Sequence, residues 1–199
     1  MVGWDDFTEV DNPPVGSEGF DANIATGWKE KSFGKRQTTC KEVDVEKCKG
    51  TKYLVLVKMN NKWEEEERPC DDPCPKCFEC DVSYPAYTIE AYIDKAASWV
   101  KKGTKTDTLL RHETLHFTIR QEGSTTAQAA IRALHGLGTS CKDNSAKIYA
   151  ERDWGNKKKT EWDRQWQSNE TLQGQYDTGT DHGRTTTEQG RWEGGYRGK

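Results

Sequence analysis

Residues 109–119, Leu-Leu-Arg-His-Glu-Thr-Leu-His-Phe-Thr-Ile, leave little choice of local structure. Leu109, His112, His116 and Ile119 recur at i, i+3, i+7 and i+10, the spacing of one stripe along an α-helix. On a helix the two imidazoles stand one turn apart, with Cβ atoms about 5–6 Å from each other. Thr106 or Asp107 can cap the start of this helix, and Leu110, Leu115 and Phe117 supply further apolar flanks. Ala127, Ala130, Ile131 and Leu134 continue the period, so the helix is predicted to run past Gly123. Gly123-Ser124-Thr125 is expected to break or kink it, and Gly136 and Gly138 to mark its end after His135.

Around this helix the chain reads as β-structure first and helix afterwards. Residues 22–28 partly alternate in polarity, and 53–59 form a β-rich run followed by a turn at Asn60-Asn61. Residues 85–93 place Tyr87, Ile89, Ala91 and Ile93 on one face of a strand. That strand is expected beside the histidine helix, as the wall of a groove that holds an extended chain by main-chain pairing. Glu64 to Glu67 read as a solvated strand end or loop, because they lack the alternating oxygen ligands and turn glycine of a calcium loop. A second helix is predicted over 142–175, with Ile148, Tyr149, Trp162 and Trp166 as a sparse apolar face and Gly155 as a weak point. Trp4 and Phe7 are expected to anchor the extended N-terminal lead-in by packing. The expected architecture is α+β: a small, twisted, mostly antiparallel sheet packed on two long helices. One domain is predicted over 1–193, with a Cys-rich insertion at about 64–84 and a flexible tail over 194–199.

The composition excludes several functions. Only 32% of residues are hydrophobic and 32% are charged, with eight tryptophans and seven tyrosines to fill a core. A net charge of −3 gives no basic excess, so wholesale nucleic-acid binding is disfavoured. No run of eighteen apolar residues exists to span a membrane.

Seven cysteines favour an oxidising compartment, so a secreted or periplasmic location is expected. The first six residues lack the basic start and apolar stretch of a signal peptide, so either the protein is cytosolic or the sequence is a mature form or a domain cut from a longer chain, and the cysteines favour the second reading. Cys40 and Cys48 flank a charged loop that a disulfide could close. Cys70, Cys74, Cys77 and Cys80 fall within eleven residues, and local disulfides or bridges out to Cys40, Cys48 and Cys141 are the expected outcome. A structural zinc held by those four thiolates is the alternative. The odd count leaves one thiol unpaired or joined to another chain.

The histidine helix carries the chemistry. His112 and His116 can share one zinc ion at about 2.0–2.1 Å. Glu113 lies beside such an ion without having to bind it, where it can take a proton from a zinc-activated water. The bland alternative is a core helix with two hydrogen-bonded histidines. A catalytic zinc takes three protein ligands and keeps one open position. The metzincin pattern is excluded, because position 119 is Ile and position 122 is Glu. Glu151 could serve in a thermolysin-like arrangement but lies far along the chain. His135, on a continuing helix, would be about 28 Å away. His182 remains, in the glycine-flanked segment Tyr176-Asp177-Thr178-Gly179-Thr180-Asp181-His182-Gly183, which can fold back over the metal. Asp177 or Asp181 could orient an imidazole from behind, and Tyr176 could donate to a developing oxyanion.

Several of these segments, in order, resemble one bacterial family. They are Trp4-Asp5-Asp6-Phe7, Ser98-Trp99-Val100, Leu109-Leu110-Arg111-His112-Glu113-x-x-His116-Phe117-x-Ile119, Tyr176-Asp177-x-x-Thr180-x-His182-Gly183-Arg184 and Gln189-x-x-Trp192. The family is an uncharacterised one of predicted secreted zinc-dependent proteases. The resemblance implies a zincin-like α+β domain and a role for His182. The chain departs from that family at Arg120-Gln121-Glu122-Gly123, where members carry an acid and small residues, and in its Cys-rich run. The expected function is a zinc metallopeptidase with a peptide or protein substrate. Two rivals stand beside it. One is a secreted toxin or effector using the same chemistry, with an inhibitor or immunity protein as partner. The other is a non-enzymatic, disulfide-stapled binding module.

Overall fold

The computed structural model describes residues 2–17, 19–60, 62–71 and 74–195. The described chain is α+β. Its strands are β1 (Thr8–Val10), β2 (Ala22–Asn23), β3 (Thr26–Ser32), β4 (Gln37–Val43), β5 (Lys52–Met59), β6 (Lys62–Pro69), β7 (Cys77–Ser83), β8 (Thr88–Ile93), β9 (Trp99–Lys101) and β10 (Gly136–Ser140). Its α-helices are α1 (Asp107–Arg132), α2 (Asp143–Thr180) and α3 (Thr186–Glu193). Asn61, half of the expected turn, and residues 196–199 of the expected tail lie outside the described residues. Among the described residues, no helix is long and apolar enough to cross a membrane.

The chain divides into two compact units: Met1–Lys31 with Thr88–Gln128 and Asp163–Lys199, and Ser32–Tyr87 with Ala129–Trp162. In the first, β9 is the centre of a three-stranded sheet, parallel to β1 and antiparallel to β2, and β3 pairs with β8. Thr106 caps α1, its Oγ1 accepting from Leu109 N–H at 3.1 Å. The helix does not break at Gly123. A Cβ there would lie 2.2 Å from Asn169 Nδ2 and 2.7 Å from Trp28 Cζ2, so the glycine is a packing notch. Asn169 Nδ2 uses that notch to donate to Ile119 O at 2.9 Å. Leu115, Ile119, Tyr176 and Trp192, with Leu172 against them, form the core that joins α1, α2 and α3.

In the second unit β7 is the central strand of the antiparallel order β10-β7-β4, and β5 pairs with β6 as a hairpin. The acidic run Glu64–Glu67 is exposed strand in β6, paired with residues 54–57. The Cys-rich run leads into β7, the central strand of that sheet. Three disulfides form: Cys40–Cys80, Cys48–Cys77 and Cys70–Cys141. Cys40 and Cys48 do not close their own loop, because the register of β4 on β7 sets Cys40 opposite Cys80. A four-thiolate zinc knot is not formed, since Cys70, Cys77 and Cys80 each bridge outward. Cys74 stays a buried thiol, donating to Lys76 O at 2.7 Å. α1 ends at Arg132, just ahead of the stop expected at Gly136 and Gly138, and those glycines belong to strand β10. Cβ atoms there would lie 2.1 Å from Ala150 O and 2.2 Å from Ala146 O, so the bare backbone is what lets α2 lie against it.

Cys70–Cys141 spans 71 residues, the longest of the three separations. Loop-closure entropy makes such a bridge worth up to about 4 kcal/mol. The double variant Cys70→Ser/Cys141→Ser is expected to unfold in urea with stability lower by about 2–4 kcal/mol, and wild-type protein treated with reductant to shift in the same direction.

Candidate metal centre

Within the first unit α1 and α2 meet along matched stripes. On α1 the stripe is His112, His116, Arg120. On α2 it is Asp177, Gln173, Glu170, each facing its counterpart. Asp177 Oδ1 lies 3.2 Å from His112 Nε2 and 2.8 Å from His116 Nε2, and the two Nε2 atoms are 3.1 Å apart. Two imidazoles and a carboxylate thus converge as a possible ligand group. Zinc bonds of about 2.0–2.1 Å in a tetrahedral shell set donors about 3.3–3.4 Å from one another. The observed spacings need open by only a few tenths of an ångström to accept an ion, so the donor set fits zinc.

Each imidazole of the pair is held from behind. Gln173 Oε1 meets His116 Nδ1, and its Nε2 donates to His116 O at 3.0 Å. Thr180 Oγ1 lies 3.5 Å from His112 Nδ1 while donating to Tyr176 O at 2.8 Å. Both rings therefore turn Nε2 toward Asp177, the arrangement that outer partners of metal-binding histidines produce. Burial lowers the pKa of His112. Burial also works against a charged His116, but the hydrogen bond to Asp177 and the charges of Glu113 and Asp177 outweigh it and raise that pKa. Burial would raise Asp177 too, yet its hydrogen bonds to both histidines hold it well below the ordinary carboxylate range. The cluster thus favours an ionised carboxylate, the form that binds metal.

Glu113 is buried beside this group and lines the same pocket of about 250 Å³. Its Oε2 accepts from Ile24 N–H at 2.8 Å. Burial is the main reason its pKa is pushed up to about 7. The next amide, Ala25 N–H, donates at 2.9 Å to Ser98 Oγ, which is fully buried and donates to Asp94 O at 2.7 Å. The pocket wall opposite the helices is residues 20–24 and Thr26, and not the strand at 88–93.

The remaining sequence candidates fall in different places. His182 borders the pocket, its ring 4.4 Å from Phe20 and its Nδ1 3.5 Å from Asp177 Oδ1. It reaches there because residues 181–183 all take positive φ, turning the chain back over His112. Gly183 is required at that turn, with φ +83° and a Cβ position 3.0 Å from the His112 side chain. Asp181 points away and pairs with Arg184 at 3.8 Å. Tyr176 does not border the pocket. It is fully buried, stacks on His112 at 4.6 Å, and turns its hydroxyl to His112 O at 3.4 Å, so it supports the ring from below. Glu151 is taken by Arg36 and Tyr84, and His135 by Asp81, all in the second unit. Gln173, Thr180 and the Ile24 amide were not expected. A helix prolonged from 175 to 180 puts residues 173, 177 and 180 on one stripe, which is the signal that would have found the first two.

Compared with family models, with curated proteins and with solved structures, the chain finds no match.

The geometry predicts an order of metal affinities. Asp177→Asn is expected to weaken zinc binding by about 100-fold or more, Gln173→Ala by about tenfold, and His182→Ala by less than either. Competition with a chromophoric chelator at neutral pH measures all three. A loss in His182→Ala larger than in Asp177→Asn would make His182 the third donor.

Proposed function

We propose that this chain is a zinc-dependent peptidase of zincin-like architecture, in which His112, His116 and Asp177 hold the ion and Glu113 is the general base. The observation that carries the reading is the convergence of two imidazoles one turn apart with a carboxylate from a second helix, in a pocket that Glu113 also lines. When bound, zinc would supply Lewis acidity for a water nucleophile and for the carbonyl under attack.

The chain's own groups do the rest. Ile24 N–H holds one oxygen of Glu113, which fixes the carboxylate's direction and leaves the other oxygen to receive a proton. A pKa of about 7 suits a group that takes a proton from water and returns it to a leaving amine near neutrality. His182, half-exposed at the rim beside Phe20, closes one side of the pocket. Gln173 and Thr180 keep the rings oriented, so little reorganisation is needed when the ion binds. Peptide bonds are the favoured substrate because the His-Glu-x-x-His helix and the ordered resemblance to predicted secreted proteases both point there. The three disulfides support an oxidising location for this work.

Metal analysis of the purified protein should return one zinc per chain. Glu113→Gln should keep that zinc and lower the cleavage rate of an unstructured protein or mixed peptide library by about 10²–10⁴-fold. A zinc-loaded wild type that cleaves nothing in such a library, or a Glu113→Gln variant with undiminished cleavage, removes the peptidase reading.

A further inference from the structure

Arg120 is a charge that this reaction does not use. It lies one turn beyond His116 on α1 and lines the same pocket, yet it is only 5% exposed. A buried guanidinium is tolerated when its donors are satisfied. Here they are not. Nε donates to Thr26 Oγ1 at 3.1 Å and Nη2 donates to Glu170 Oε1, but Nη1 is enclosed without a hydrogen-bond partner. Trp166 and Trp28 flank the guanidinium at 4.3 and 5.8 Å, and Trp28 Nε1 donates to Arg120 O at 2.8 Å. The cation is thus fixed in place before any ligand arrives, and short of one acceptor.

Glu170 shows what is missing. It meets the guanidinium with one oxygen on one nitrogen, from a side chain that is 48% exposed. Arginine binds carboxylates most strongly through two parallel N–H···O bonds. A carboxylate brought in by a ligand could take Nη1 and Nη2 together once Glu170 swings out into water. That exchange replaces one negative charge by another, so it adds no unpaired charge to the pocket and it satisfies Nη1.

We propose that Arg120 is a carboxylate-binding subsite of the pocket, guarded by Glu170 as a displaceable stand-in, and that it selects substrates with a carboxylate close to the bond being cut. Four residues of helix, about 6 Å, separate Arg120 from His116. An extended peptide covers that in about two residues. The word substrate rests on the peptidase reading, whereas the subsite itself does not. The carboxylate is either the α-carboxylate at a peptide's end or the side chain of an acidic residue.

Calorimetric titration of zinc-loaded Glu113→Gln protein separates these sources without turnover. One pair of probes is N-acetyl-Ala-Ala and its C-terminal amide, and the other is N-acetyl-Ala-Asp-amide and N-acetyl-Ala-Asn-amide. In one pair the acid is expected to bind about tenfold or more tightly than its neutral partner, and that pair identifies the source. Adding Arg120→Gln should shrink the gap to about twofold or less. Adding Glu170→Gln instead should strengthen acid binding by about threefold or more, because the competitor is gone. No gap in either pair overturns the proposal. A gap that survives Arg120→Gln does so too, since the metal and not the guanidinium then takes the carboxylate. Should Arg120→Gln fail to fold, Glu170→Gln at its half-exposed position still decides, and unchanged acid affinity there counts against the subsite. Failure of the wild type to cleave peptides would sink the peptidase reading alone, while the binding gap continues to decide the role of Arg120.

Discussion

The carboxylate of Asp177, shared between the imidazoles of His112 and His116, is the contact around which the first unit is arranged. One helix brings both rings and another brings the acid, so the contact exists only if both helices keep their phase over the full stretch. The stripe His112, His116, Arg120 meets Asp177, Gln173, Glu170 rung by rung. Apolar packing holds the phase, with Tyr176 stacked under His112 and Trp192 and Ile119 filling the space behind it. Polar rungs alone would not suffice, because each buried pair must first repay the loss of water around it.

Some of this was legible in the residues. The spacing of 112, 116 and 119 is a property of one helix, and so is the cap at Thr106, and both can be read locally. The β-run at 53–59 and an oxidising fate for most of the cysteines belong to the same kind of reading. What escaped was whatever depends on two elements meeting. Asp177 looked like a loop residue because the apolar face of α2 is sparse and His182 sits in a glycine-flanked segment, yet the helix continues to Thr180. The partner of Cys40 depends on the register of β4 on β7, which no spacing within either strand reports. Tyr176 carries a hydroxyl that could serve catalysis on paper, and only its burial beneath His112 shows which way that hydroxyl turns. Gly123, Gly136 and Gly138 read as breaks because glycine is flexible, but each is there because another group lies too close for a side chain.

The two units use different means of closure. All seven cysteines belong to the second unit, where three covalent bridges restrain strands and loops. The first unit has none, and between α1 and α2 it sets a converging donor set instead. An ion bound only by the folded state adds its own binding free energy to stability. The unit without disulfides is therefore the one whose integrity would follow metal supply, and the unit with them is the one whose integrity follows redox conditions.

The amide of Ile24 has a double position. It grips Glu113, and it belongs to the short segment that also forms the pocket wall. If Glu113 acts as the proposed base, an occupant that displaced that wall would reach it through a single N–H, while Ser98 holds the next amide. On the proposed reading, tightness of fit at the wall and the aim of the base would then be linked through one amide.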